Sequence, residues 1–247
     1  MRGAWTSRPG QIVVAGAFGD IEVHHHPAIQ VVVGIDGPLE LVGDDDTAQR
    51  CLVAVVAGGI RHALRSWGAN GAFSIYLSPE TPTATALHAL GMARGATPGL
   101  WAVDDVDTLA AATSAAVRAQ DLTRAADLVI DDLLCEAPDT SSVHPQLCRA
   151  IELVAARMPG RADLGSVAGE VALSPDYLGR LFKKQTGASF AATARWVRLL
   201  AGLDQLSQGV SITDAAHLAG FADGAHATRV CRELTGIAPR DVVRALR

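Results

Sequence analysis

Residues 174–187 read "SPDYLGRLFKKQTG", and 49 residues further on the chain reads "DGAHATRVCRELTG" at residues 223–236. Each stretch begins with a side chain that commonly caps helices, continues for about three turns and ends at Thr-Gly. The offset places Arg180 opposite Arg229. Each stretch also follows a shorter segment with its own capping residue. This internal repeat predicts two helix-turn-helix motifs in one chain.

A long amphipathic pattern at residues 190–207 separates the two repeats and predicts a rigid spacer helix. A recognition helix of about 11 residues fits the major groove of DNA, and two such helices can enter successive groove segments about 34 Å apart. Arg180 and Arg229 are suited to bidentate bonds to guanine. Phosphate contacts are expected from three further basic residues, Lys183, Lys184 and Arg232.

The charge of the chain is unevenly distributed. Residues 1–144 contain eight Lys and Arg against 17 Asp and Glu, whereas residues 145–247 contain 13 against nine. The asymmetry indicates an acidic module joined to one that approaches an anion. The four cysteines are widely spaced, which favours reduced thiols. No apolar stretch reaches the length of a membrane helix and no signal peptide is evident, so a cytoplasmic protein without membrane contact is expected.

The first third of the chain has a different periodicity. Six short Val- and Ile-rich runs between residues 11 and 78, separated by Gly, Pro and Asp, predict a small antiparallel barrel or sandwich. Helical spacing then predicts an αα-hairpin at residues 104–134. The predicted fold class is α+β multidomain, with an N-terminal antiparallel β-barrel, an αα-hairpin and a C-terminal all-α double helix-turn-helix.

The C-terminal part resembles the AraC/XylS family of bacterial transcription regulators. The resemblance rests on "VALSPDYLGRLFKKQTGASF" and "ITDAAHLAGFADGAHATRVCRELTGIAPRDVVR". It places the base-contacting surface on Asp176, Tyr177, Gly179 and Arg180 in the first unit, and on Gly224, Ala225, His226 and Arg229 in the second. The chain departs from the family at Ala227 and Cys231, where aromatic residues are usual. Because Gly224 and Ala225 offer no side-chain donor, the second unit is expected to position the backbone while the first reads sequence.

The stretch "VHHHPAIQVVVGIDG", residues 23–37, resembles more weakly the cupin barrel with which many members of this family sense an effector. The resemblance places a metal-ligand pattern on His24, His26, Gln30 and His62, with glutamine where metal-binding cupins usually have glutamate. On a strand His24 and His26 share one face. Three alternatives remain: a barrel with packing histidines and no metal, a divalent site for Zn, Ni, Cu or Fe, or a catalytic cupin fused to a DNA-binding tail.

These observations predict an effector-controlled, sequence-specific transcription regulator, an activator by analogy with relatives. No catalytic residue and no required cofactor is expected; a metal-dependent cupin enzyme is the alternative. The expected partners are double-stranded promoter DNA, a small-molecule or metal effector, RNA polymerase and a second copy of the chain in a homodimer. The predicted domains are a barrel at 1–85, a helical dimerisation or capping segment at 86–134, a linker at 135–145 and a DNA-binding domain at 146–247.

Overall fold

The structure is a computed structural model that describes residues 3–66, 71–94, 99–135 and 143–245. Its strands are β1 Ala4–Arg8, β2 Gln11–Gly16, β3 Ile21–His24, β4 Ile29–Ile35, β5 Leu39–Gly43, β6 Ala48–Cys51, β7 Val53–Val56, β8 His62–Ser66, β9 Gly71–Leu77 and β10 Leu100–Val103. Its helices are α1 Pro82–Arg94, α2 Asp107–Arg118, α3 Leu122–Leu134, α4 Pro145–Ala156, α5 Leu164–Glu170, α6 Pro175–Thr186, α7 Phe190–Ser207, α8 Ile212–Leu218, α9 Gly224–Thr235 and α10 Pro239–Ala245.

The strands form two antiparallel sheets, which we call the barrel. The larger sheet has the order β1-β2-β9-β4-β7-β10 and the smaller one the order β3-β8-β5-β6. Strand β4 is buried on both faces because its side chains alternate between two apolar clusters. Val31 packs toward the helices that cover the larger sheet, whereas Val32 packs with Leu41 and Leu64 of the smaller sheet. The barrel interior therefore lies between the two sheets.

Helices α1, α2 and α3 cover the outer face of the larger sheet. The predicted αα-hairpin is confirmed as α2 and α3, and Asp121 caps α3 by accepting a bond from the Arg124 backbone N–H. Strand β10 was not anticipated: the segment expected to be helical contains this strand, which pairs with β7. Its four residues are too short a run for periodicity to reveal. Most of the predicted linker, at residues 136–142, lies outside the described residues.

The C-terminal helices form two small cores that share one long helix. The first core contains Leu178 and Phe182 together with Phe190 of α7, and the second contains Leu234 together with Trp196 of α7. Helix α7 is therefore the expected spacer. The predicted fold class is confirmed in its architecture: an antiparallel β-barrel with an αα-hairpin, followed by an all-α double helix-turn-helix region.

Candidate DNA interface and histidine cluster

The first helix-turn-helix unit comprises α5 and α6. Asp163 caps α5 by accepting a bond from the Ser166 N–H at 2.9 Å, and the Ser174 hydroxyl caps α6 by accepting from the Tyr177 N–H at 3.2 Å. Pro175 occupies the first turn, where its missing N–H costs nothing. Gly187 ends α6 in the left-handed conformation with a φ of 67°. The capping predicted for this unit is confirmed.

The second unit, α8 and α9, repeats this construction. The Ser211 hydroxyl accepts from the Asp214 N–H at 3.1 Å, and Asp223 accepts from the His226 N–H at 2.6 Å. That backbone bond, helped by the positive charge of Arg229, lowers the pKa of Asp223. Gly236 ends α9 with a φ of 70°, as Gly187 ends α6. The internal repeat in the sequence is therefore a repeat in three dimensions.

All residues predicted to contact DNA are exposed or half-buried. They are Asp176, Tyr177, Gly179, Arg180, Lys183 and Lys184 on α6, and Gly224, Ala225, His226, Arg229 and Arg232 on α9. Among the described residues, neither Arg180 nor Arg229 forms an ion pair. Both guanidinium groups therefore remain available to an anionic ligand.

Two of these side chains are engaged within the protein. Lys183 donates from Nζ to the Gly187 carbonyl oxygen at 2.8 Å, and so binds the end of its own helix. The His226 ring lies edge-on to Phe221 and accepts a bond from the Ala222 N–H at 3.4 Å through Nδ1. Both side chains stabilise their own unit, which leaves four basic residues as the more accessible donors: Arg180, Lys184, Arg229 and Arg232.

The structure brings His24, His26 and His62 together inside the barrel, each at most 2% exposed. One ring nitrogen from each lies within 4.8 Å of the others. His25 is half-buried and lies outside the cluster, as the alternation predicted. Strand β3 ends at His24, so His26 reaches the interior from the following loop rather than from the strand.

The imidazoles of this cluster are neutral near pH 7. Burial, with the neighbouring His26, lowers the pKa of His24 to about 3. Burial likewise lowers the pKa of His26 to about 4, and it holds the pKa of His62 well below its usual value. Gln30, the fourth residue of the predicted set, places its side-chain oxygen 3.2 Å from His26 Nε2 and 2.9 Å from His62 Nε2. Gln30 therefore contacts His26 and His62, and the His24 ring lies beside His62 with ring centroids 4.2 Å apart.

The helix-turn-helix region covers this cluster, which sequence reasoning did not reveal. The Trp196 ring of the spacer helix lies 5.3 Å from the His26 ring and 5.7 Å from Tyr76. The His25 N–H donates to the Glu233 carbonyl oxygen of α9 at 3.3 Å. In the sequence Trp196 is one aromatic residue on the apolar face of a helix. That pattern is typical of a core residue and does not indicate a contact with the histidine cluster.

The glycines that end the two recognition helices both lie against the barrel. Gly187 packs on the Gly58 carbonyl, and a side chain at Gly59 would meet the Gly187 carbonyl. A Cβ at Gly236 would lie 3.0 Å from Nδ1 of His24. The two units therefore dock on the barrel through equivalent positions.

A cavity of about 50 Å³ lies between the barrel and the helix-turn-helix region. Its lining comes from β1, β2, the β2–β3 connection, β3, β9, α7 and the C-terminal helices with their connection: Trp5, Ile12, Val14, Phe18, Ile21, Ser74, Tyr76, Trp196, Leu200, Leu203, Thr235, Ile237 and Val242. None of these side chains is charged. The Trp196 Nε1–H is buried and has no hydrogen-bond partner among the described residues.

Comparison with known proteins agrees with this geometry. Residues 167–245 match a family model described as "Helix-turn-helix domain". Part of the chain is 32% identical over 109 residues to the HTH-type transcriptional regulator NimR of Escherichia coli K12, covering 42% of this chain and 40% of NimR. It is 35% identical over 72 residues to the uncharacterized transcriptional regulatory protein YesN of Bacillus subtilis 168, covering 28% of this chain and 20% of YesN. Residues 167–245 are therefore similar to a helix-turn-helix domain.

The fold of the whole chain also has solved counterparts. ToxT from Vibrio cholerae O395 has a TM-score of 0.67 at 12% identity, covering 97% of this chain and 99% of ToxT. A structure of ToxT from strain SCE256 with an unsaturated fatty acid bound has a TM-score of 0.62 at 13% identity, covering 96% of both chains. The likeness establishes a shared architecture of barrel and helix-turn-helix region. No helix in the described part of the chain is long and apolar enough to span a membrane.

Proposed function

We propose that this protein is a transcription regulator that binds promoter DNA sequence-specifically. The supporting observation is the pair of capped helices α6 and α9, each carrying an exposed arginine at the same repeat position without an ion-pair partner among the described residues. Arg180, with Asp176 and Tyr177 beside it, reads bases, whereas the second unit positions the DNA backbone. The protein acts in the cytoplasm as an activator that engages RNA polymerase, and α2 and α3 form its homodimer contact.

An effector bound in the cavity between the barrel and the DNA-binding domain would touch both parts. Such a ligand shifts an equilibrium between docked and undocked arrangements by the difference in its affinity for them. ToxT has been solved with an unsaturated fatty acid and with a naphthalenyl butenoic acid bound. Among the described residues no basic side chain lines the cavity, so the ligand we propose is apolar and uncharged, with one acceptor atom for the Trp196 Nε1–H.

The alternative of a metal-dependent enzyme receives less support from the geometry. A catalytic metal site keeps a coordination position open to substrate. Here Trp196 and Gly236 of the DNA-binding domain cover the histidine cluster, whose members are at most 2% exposed. A substrate would reach the cluster only after the two parts of the molecule separate.

Selection of genomic fragments bound by the purified protein, followed by gel shifts on the recovered site, tests the proposal. Arg180→Ala is expected to lower affinity for that site by about 5- to 150-fold, equivalent to about 1 to 3 kcal/mol, and to relax sequence preference. Arg149→Ala is the matched control, because Arg149 is an exposed arginine that belongs to α4, not to a recognition helix, and pairs with Glu152.

Failure of the wild type to enrich any fragment would overturn the regulator proposal. Loss of binding in Arg229→Ala with full binding in Arg180→Ala would reverse the proposed hierarchy of the two units. Binding that weakens equally in Arg149→Ala would mean that net charge, rather than base contact, supplies the affinity.

A further inference from the structure

Four arginines lie between α4 and α5 or on the spacer helix α7, and they differ in their partners. Arg157 pairs with a glutamate of α5, and Arg195 pairs with a glutamate of α9. Arg161, which is exposed, and Arg198, which is half-buried, form no ion pair with any described residue. The fold therefore neutralises two of the four positive charges and leaves the other two without a counter-ion.

The two unpaired arginines are neighbours. The Arg198 Nη2 atom donates to the Gly160 carbonyl oxygen at 3.0 Å, and Arg161 is the next residue along the chain. The Arg198 Nε–H is buried and has no acceptor in the described part of the chain. Burial, and after it the positive charge of Arg161, lowers the pKa of the Arg198 guanidinium. Two like charges held side by side repel each other, and a bound anion relieves that repulsion.

This arginine pair lies between the two helix-turn-helix units. The segment that carries Arg161 is joined to the first unit by the ion pair of Arg157 with Glu170, the last residue of α5. It also contacts the second unit, because a Cβ at Gly220, just after α8, would lie 2.3 Å from the Pro159 carbonyl oxygen. The α4–α5 connection therefore contacts each unit where its first helix turns toward its recognition helix.

The position of the pair indicates which anion it can meet. In a helix-turn-helix complex the recognition helix enters the major groove, and the helix before it crosses the phosphate backbone. Two units on successive groove segments leave one stretch of sugar-phosphate backbone between them. A cationic site beside both turns is placed to meet that stretch. Phosphate oxygens accept bonds from the N–H groups of a guanidinium, so arginine suits this contact.

We propose that Arg161 and Arg198 bind one phosphodiester group of the DNA backbone, between the two major-groove segments that α6 and α9 enter. Arg161 supplies the accessible donors, and Arg198, held by the Gly160 carbonyl, supplies a fixed positive charge beside it. The pair touches no base, so it binds every sequence alike and sets the register of the two recognition helices on the duplex. The inference rests on the proposed DNA binding and adds a phosphate contact outside both recognition helices.

Neutralisation of one DNA phosphate at a time tests the site. A set of operator duplexes carries a single uncharged methylphosphonate at each linkage between the two groove segments, and gel shifts measure their affinity for the full-length protein. In the wild type one linkage is expected to lower affinity by about 3- to 10-fold, because a charge-assisted contact is lost. Arg161→Ala is expected to lose the same factor on unmodified DNA and nothing further at that linkage, because the contact has already been removed.

Two further variants separate a phosphate contact from other roles of the charge. Arg149→Ala, the matched control, also removes one exposed positive charge, and it is expected to keep the wild-type sensitivity to methylphosphonate. Arg161→Lys is expected to retain most of the wild-type affinity, because a phosphate accepts bonds from an ammonium group as well. Arg161→Ala should weaken binding to the operator and to a scrambled duplex by the same factor, and make the slope of log affinity against log salt less steep by about 0.9.

Three results would overturn the phosphate site. They are wild-type affinity in Arg161→Ala, a loss in that variant on the operator but not on the scrambled duplex, and wild-type sensitivity of that variant to every methylphosphonate. Thermal unfolding shows whether Arg161→Ala is folded. If it is not, the wild-type scan decides alone, and the absence of a sensitive linkage between the two groove segments would overturn the site.

Free phosphate is a second source of the same anion. Thermal unfolding with inorganic phosphate, against sodium chloride at equal ionic strength, measures its binding to the wild type and to Arg161→Ala. Stabilisation of the wild type alone, together with unchanged DNA affinity in Arg161→Ala, would assign the pair to a free anion and overturn the DNA contact. Failure of the wild type to bind any duplex would overturn the proposed function as well, whereas wild-type DNA binding that does not depend on Arg161 would overturn this inference alone.

Discussion

The two helix-turn-helix units have the same caps and the same glycine endings, but they are packed differently. At equivalent positions the first unit buries Leu178 and Phe182, and the second buries Ala227 and Cys231. Phe182 packs edge-on against Phe190 with ring centroids 5.3 Å apart. The first unit therefore fills its core with large side chains from α6 and the start of α7.

The second unit obtains its packing from elsewhere. Its cluster includes Trp196 and Phe221, and also Ala28 of the barrel. A cavity of about 20 Å³ remains beside Ala227. The second unit therefore depends on the spacer helix and the barrel for its core, whereas the first is supported by its own helices. The unit that depends on the barrel is the one suited to respond to it.

Alanine substitution at the two equivalent core positions, Phe182 and Cys231, tests this difference in packing. Phe182→Ala is expected to lower the free energy of unfolding by about 3 to 5 kcal/mol, because it removes a fully buried aromatic ring and leaves a cavity. Cys231→Ala removes one buried sulfur atom and is expected to cost about 1 kcal/mol. Urea denaturation of the full-length variants measures both. Equal losses would contradict the claim that the first unit supplies its own core.

The docked glycines provide a second test, directed at the contact of the first unit with the barrel. An alanine in the left-handed conformation costs about 1 to 2 kcal/mol wherever it occurs. Gly187→Ala also drives a Cβ into the Gly58 carbonyl, whereas Gly209→Ala places it in open space. Gly187→Ala is therefore expected to lower the free energy of unfolding by at least about 1 kcal/mol more than Gly209→Ala.

Equal destabilisation by these two alanines would show that Gly187 does not press on the barrel in solution. A second outcome is that Gly187→Ala loses more unfolding free energy than Gly209→Ala only in the absence of a ligand in the cavity. That result would mean that the ligand releases Gly58 from Gly187, and that the first unit is under effector control as well. Urea denaturation with and without the ligand measures this.

Local features of the helix-turn-helix region were predictable from the sequence, and long-range contacts were not. Capping by Ser174 and Asp223 and the glycine endings depend on neighbours within four residues, so the sequence carries them directly. Strand β10 is stabilised by pairing with β7, more than 40 residues away in the chain. No local sequence pattern indicates such a long-range pairing, so β10 was included in a segment predicted to be helical.

The candidate sites divide in the same way. Spacing by two placed His24 and His26 on one side of the chain, and in the structure both rings lie beside His62, while Gln30 contacts His26 and His62. The sequence did not predict that Trp196 covers this cluster. Trp196 follows His26 by 170 residues and reaches it only because the helix-turn-helix region docks on the barrel. Lys183 is exposed, as a phosphate contact requires, but its ammonium group also donates to the Gly187 carbonyl oxygen, a contact that the sequence did not reveal.

The N-cap residues of α6 and α9 differ in charge, because Ser174 caps with a neutral hydroxyl and Asp223 with a carboxylate. Ser174→Ala is expected to lower the free energy of unfolding by about 1 kcal/mol, equally at all pH values.

The pKa of Asp223 is lowered in the folded protein by its bond to the His226 N–H. Its contribution is therefore complete above the unfolded pKa, and it is lost as pH falls through the folded pKa. The stability difference between wild type and Asp223→Ala should shrink on acidification, while that for Ser174→Ala stays constant. Urea denaturation from pH 7 downward measures both, and a difference for Asp223→Ala that does not change with pH would mean that its carboxylate charge contributes nothing to the cap.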